Sequence, residues 1–135
     1  MRNNLFIACG LCCMMLLAVP LEVRGAGKQD AHIAYVLKQL SLKKDEAAKL
    51  RPILVQYYQE VDRVKAPRKA LREKYKKAED MGKLTAQQCD ELWESKLKQE
   101  SEELEVRRKY YVKFKTVLST PVAYEAIKLC NDKLK

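Results

Sequence analysis

Lys65, Lys69, Arg72 and Lys76 recur at spacings of four, three and four, which places these four cations on one stripe of a helix. Such a stripe binds rather than makes or breaks bonds. It attracts acidic or partly unfolded chains over long range and loses its hold as salt rises. The plainer reading is a set of solvated charges neutralised by nearby acids. Tyr57 and Tyr58 precede the stripe, and adjacent residues cannot both face one helix seam. Tyr57 is therefore assigned to the core. Tyr58 is assigned to the outer surface, in contact with a binding partner or a second copy of the chain. Groups suited to catalysis are scarce. His32 is the single histidine and has no His, Cys or Asp neighbour at metal-ligand spacing. The carboxylates sit beside lysines along helix faces, the pattern of a solvated surface. The sequence predicts no enzyme activity, no catalytic residue, no metal site and no cofactor.

The chain has 135 residues, 27 Lys and Arg against 18 Asp and Glu, and a formal charge of +9. With 7% aromatic residues, four glycines and four prolines it reads as all-α and as one small domain. It is too short for a two-domain enzyme built around a cofactor crevice. The first stretch differs from the rest. Arg2 supplies a positive start, residues 5–19 carry no charge, Pro20 breaks the run, and Val23 and Gly25 suit a cleavage site. That order predicts a signal peptide over residues 1–25, cut after Gly25. Fifteen apolar residues would span only about 22 Å, short of a hydrocarbon core of about 30 Å, so no stable membrane anchor is expected. Cys9, Cys12 and Cys13 fall in this segment, and Cys89 and Cys130 remain beyond it.

Residues 26–135 read as one helical domain. Positions 47, 50, 54, 57, 61, 64, 68, 71, 75 and 78 alternate spacings of three and four, and all but Arg68 are apolar or aromatic. This is the seam of a helix packed lengthwise on another, over roughly 45–79. Gly82 stands where a C-terminal cap belongs, and Pro52 and Pro67 predict bends near 48–52 and 63–67. Thr85 and Gln88 have the spacing of a capping box, which opens a second long helix running to about Leu118. Leu97, Leu104, Tyr111 and Leu118, seven apart, form its expected seam, with Trp93 and Phe114 adjoining. Thr120 is read as an N-cap with Pro121 at the first helical position of a last helix, and a short helix over about His32 to Leu40 precedes the others.

Two helices of matched length, each about 50 Å, joined at Met81–Gly82–Lys83 imply a long bent antiparallel hairpin with short flanking helices. The bases of 65–77 then face Asp90, Glu91, Glu94 and Glu100, with an ion pair expected from Arg68 to Glu94 or Glu100. One hairpin buries little, so a curved antiparallel homodimer is expected to complete the core. Cys89 and Cys130 lie some 30 Å apart in this layout, too far for an intramolecular disulfide. An intermolecular one stays open, as do two free thiols.

Leu84-Thr85-Ala86-Gln87-Gln88 resembles the LTxxQ motif of the Spy/CpxP family of periplasmic chaperones and stress-linked proteins. That family carries two such motifs. Leu42 through Glu46 occupies the place of the other, with Lys43 and Glu46 where the motif has Thr and Gln. The likeness extends through Pro52, Tyr57 and Tyr58 and the tract Lys109 to Phe114, over about residues 40–130. Leu42, Glu46, Leu84, Thr85 and Gln88 are the motif and cap positions. The resemblance implies a curved helical dimer in the periplasm that holds clients without ATP on a basic, partly apolar concave face. The clients would be unfolded or misfolded envelope proteins, with Tyr58, Lys65, Lys69, Arg72 and Lys76 as client-binding residues.

The alternative is an envelope-stress regulator that uses the same face to bind the sensor domain of a signalling protein. Nucleic-acid binding, which the net charge invites, is disfavoured by the export signal and by acids spread through 90–105. A structural secreted helical protein is the dullest reading.

Overall fold

The computed structural model describes residues 23–132. They form four helices and no strand: α1 Val23–Leu40, α2 Lys44–Asp80, α3 Ala86–Phe114 and α4 Thr120–Asn131. Residues 1–22, with most of the expected signal peptide, lie outside the described residues, and the expected cut after Gly25 falls inside α1. The start of α1 is thus nine residues earlier than the sequence predicts.

Local chemistry sets most boundaries. Lys43 has extended backbone at the N-cap of α2 but its side chain caps nothing, and Asp45 and Glu46 in the first turn offset the helix dipole instead. At the other end Gly82 takes φ 62°, while its N–H donates to Glu79 O at 3.0 Å and that of Lys83 to Ala78 O at 2.8 Å. These two bonds satisfy carbonyls the helix leaves open, in the Schellman arrangement. The capping box forms as expected: Gln88 N donates to Thr85 Oγ1 at 3.2 Å and Thr85 N to Gln88 Oε1 at 3.0 Å. α2 continues through Pro52 and Pro67, both on its exposed side, where the carbonyls they leave unpaired can meet water.

Two expected ends move. α3 stops at Phe114, not Leu118, because the Thr116 hydroxyl bonds Lys113 O at 2.6 Å and the backbone tightens into i→i+3 bonds at Thr116 and Val117. α4 has Ser119 as its N-cap, so Thr120 is its first helical residue and Pro121 its second.

The core lies at one end of the molecule. Ile33 and Val36 of α1 meet Leu50, Leu54, Tyr57, Tyr58 and Val61 of α2, Val106, Tyr110 and Phe114 of α3, and Ala123, Ala126 and Cys130 of α4. Tyr57 is its hub, edge-on to Tyr110 at 5.4 Å and tilted against Phe114 at 6.4 Å. Full burial of Leu50, Leu54 and Phe114 is worth roughly 1.5–3 kcal/mol for each side chain. Between Val61 and Val106 the only buried hydrophobic residue is Tyr75, whose hydroxyl donates to Glu91. Contacts from Tyr57 to Tyr110, Glu60 to Lys109 and Tyr75 to Glu91 show partners falling on α3 as they rise on α2.

The α2 seam is correct: none of its ten expected positions is exposed. The expected α3 seam holds only at its C-terminal end, where Phe114 and Leu118 are buried and Tyr111 packs on the core. Trp93, Leu97 and Leu104 are 54%, 41% and 44% exposed. The covered face instead runs through Gln88, Leu92, Ser95, Gln99, Glu103, Val106, Tyr110 and Phe114. The aromatic residues at 110 and 114 fix the helix rotation, and polar residues follow them into the seam.

Candidate functional site

α1 packs against α2 around Ile33 and Val36, and Gln29 donates to Asp62 at 2.5 Å. Beyond Asp62 the exposed surface of α2 carries the cationic stripe. Lys65, Lys69, Arg72 and Lys76, together with Arg68, line an open cleft of about 570 Å³. Glu73, Glu79, Asp80 and Gln99 complete its wall, so the cleft touches both α2 and α3. The periodicity that predicts the stripe thus also brings its four members to one concavity.

The electrostatics differ from the sequence expectation. Among the described residues, none of these five bases forms an ion pair. Arg68 does not reach Glu94 or Glu100, which are both exposed, because α3 is rotated away from its expected seam. Glu100 pairs with Lys96 on its own helix at 3.8 Å. Arg68 is instead half-buried in the cleft wall, and its Nε is sealed from water with no acceptor among the described residues. Among the described residues the cross-helix ion pair that does form lies outside the stretch expected to pair: Lys109 of α3 bonds Glu60 of α2.

Tyr58 needs correction. It is 8% exposed and lies under α1, with the His32 ring 5.4 Å from its own. The sequence placed it on the outer surface because the residue after a seam position faces away from the seam. Here that direction is occupied by α1 and α4. Burial pushes the Tyr58 hydroxyl well above the ordinary phenol range, and Cys130 adds to the shift. Among the described residues His32 Nδ1 has no hydrogen-bond partner, and the Tyr58 hydroxyl has none besides the Cys130 thiol. With α1 in place, Tyr58 is out of reach of a client.

The cap residues divide in the same way. Leu84, Thr85 and Gln88 form one working cap, with Leu84 half-buried. Leu42 packs on the core, but Glu46 stands beside an N-cap with no side-chain bond.

The outer surface of α3 is the feature that the sequence reading missed. Trp93, Leu97 and Leu104 project from it, and the Lys96 ammonium lies 5.2 Å from the Trp93 ring centre. The heptad spacing marks these residues as a stripe; it does not say which neighbour, if any, the stripe packs on. Among the described residues no group of three His, Cys, Asp or Glu side chains converges on a metal-sized site, and no helix is long and apolar enough to cross a membrane.

No family model, curated protein or solved structure matches the chain.

Proposed function

We propose that the chain is an ATP-independent periplasmic holdase, exported by cleavage after Gly25. In this reading α2 and α3 form a long bent antiparallel hairpin, two copies associate as a curved antiparallel dimer, and the basic face receives unfolded or misfolded envelope proteins. One observation carries it. Five cations without ionic partners line a cleft on the half of α2 and α3 that neither α1 nor α4 covers, and α3 leaves Trp93, Leu97 and Leu104 in solvent on the same half. Unpaired cations supply attraction that acts over about 10 Å at moderate salt, and scattered apolar side chains supply short-range contact without a fixed geometry. That combination suits partners with acidic and apolar groups in no set order. The exposed stripe is where a second copy would gain buried area. The LTxxQ-like cap at Thr85 adds the family resemblance.

The convergence of nine side chains on one open cleft favours a second reading, a regulator that binds one sensor domain, because a single concavity can select one partner. Aggregation suppression with two unrelated unfolding substrates separates the two. A holdase protects both at near-stoichiometric ratio, less well as salt rises, and charge reversal at Lys65, Lys69, Arg72 and Lys76 weakens it. Protection of neither substrate would favour the regulator. Sedimentation equilibrium tests the dimer: a monomer at all concentrations would remove it.

A further inference from the structure

We infer that the core-ward end of the α2–α3 cleft is an oxyanion site, centred on Arg68, that takes a multiply charged phosphate group. The inference rests on the cleft geometry and goes beyond the holdase reading, which needs only a diffuse basic face.

The cleft is polarised along α2. Lys65, Arg68, Lys69 and Arg72 occupy about 10 Å of helix at 1.5 Å per residue, with no acid among the lining residues of that stretch. Glu73, Lys76, Glu79 and Asp80 line the end nearer the turn, three acids to one base. An anion is therefore drawn to the 65–72 end and repelled from the other, which limits it to a compact ligand rather than a long polyanion.

Arg68 is the second observation. Its Nε is sealed from water and has no acceptor among the described residues, so only its terminal Nη donors are open to a ligand in the cleft of about 570 Å³ that it borders. A guanidinium presents its donors in a planar fork that matches two oxygens of one phosphate, and Arg72 offers another fork one helical turn away. Phosphate brings up to two negative charges and three acceptor oxygens to a single centre, whereas a carboxylate brings one charge and two oxygens. Four close cations without counter-ions are best matched by the denser charge. Gln99 of α3 lines the same cleft, but its amide already donates to Glu103 at 2.6 Å, so the cations of α2 carry the binding.

Isothermal titration calorimetry of the full chain against tripolyphosphate, pyrophosphate and inorganic phosphate at constant ionic strength tests the site. Saturable binding of tripolyphosphate at one per chain is expected. Arg68→Gln and, as a second variant at an exposed position, Arg72→Gln should each weaken it at least tenfold. Lys115→Gln, an exposed base outside the cleft, should leave it within twofold. Competition by phosphatidate-containing vesicles, and none by phosphatidylcholine vesicles, would place the phosphate on a lipid; no competition would place it on a free solute, and either result supports the site. No saturable binding, equal loss with Lys115→Gln, or tighter binding of a Glu-rich peptide than of tripolyphosphate would overturn it. Aggregation suppression that persists without phosphate binding would sink the oxyanion site and leave the holdase proposal standing. Phosphate binding without suppression would do the reverse.

Discussion

The Lys109 ammonium on α3 donates to both carboxylate oxygens of Glu60 on α2, at 2.9 and 3.1 Å. This pair joins the two long helices just beyond the aromatic hub, where Tyr57 meets Tyr110. Its polarity is the reverse of the bases-on-α2, acids-on-α3 pattern in the residues nearer the turn. Cross-helix ionic matching therefore acts at the core, and the bases farther along α2 are left without partners from α3.

The Glu60–Lys109 pair should make stability fall in acid. Hydrogen bonding from Lys109 holds the Glu60 carboxyl below its ordinary value of 4.5. A depressed folded-state pKa gives stability that is fully present above the unfolded value and lost as pH falls through the folded one. Lys109 is half exposed, so solvent screening limits the pair to about 0.2–1 kcal/mol. Thermal midpoints of wild type, Glu60→Gln, Lys109→Met and the double variant, taken from pH 7 to pH 3, should show a coupling at neutral pH that vanishes in acid.

Truncation in the core and on the outer surface of α3 should separate sharply. Phe114 is 0% exposed, and Phe114→Ala should cost about 3–5 kcal/mol through lost burial and the cavity left behind. Leu104→Ser should stay within about 0.5 kcal/mol, since the side chain is 44% exposed. Urea denaturation followed by circular dichroism measures both. A large loss at Leu104 would mean that the stripe is already buried in solution against a second copy.

The two N-caps should respond in opposite directions. Thr85→Ala removes the bond to Gln88 N and should cost about 1 kcal/mol. Lys43→Ser places a hydroxyl on an N-cap whose backbone is already extended, φ −62° and ψ 153°, and should gain up to about 1 kcal/mol. Equal and negligible effects at both positions would show that the helix ends are held by packing instead.

The cysteines should differ in reactivity by site. Cys89 is exposed, whereas burial pushes the Cys130 thiol up to about 12. At pH 8 Cys130 is therefore a thiol with almost no thiolate, and alkylation requires the thiolate. Brief treatment with iodoacetamide followed by peptide mapping should label Cys89 and spare Cys130 until urea is added. Rapid labelling of Cys130 in the native chain would show that α4 detaches readily.

The helices and α2's buried face were legible because one apolar stripe runs along α2 without competition, and because Gly82 and the Thr85–Gln88 box punctuate the chain. The face of α3 was legible only at Tyr111, Phe114 and Leu118. It has two candidate stripes, and the one with the better heptad, through Leu97 and Leu104, is the one left outside. The winning face carries Ser95, Gln99 and Glu103, which a periodicity count scores as surface. Its choice depends on Tyr110 and Phe114 docking on Tyr57, a contact between residues more than fifty positions apart. The same long-range placement explains Tyr58. Its direction was read correctly relative to the seam, but the sequence did not show that α1 and α4 would close over it. Four members of the basic cleft could be named in advance because they sit on one helix. Gln99 and the unpartnered Nε of Arg68 emerge only once α3 is in place.

The concentration of buried side chains at one end has a consequence for how the chain tolerates change. From Val61 to Val106 the fold has only Tyr75 as a fully packed hydrophobic residue, so most substitutions there have little packing to disturb. Surface chemistry can drift through that stretch while residues at the opposite end keep the chain folded. Adaptability and robustness thus occupy different lengths of the same two helices.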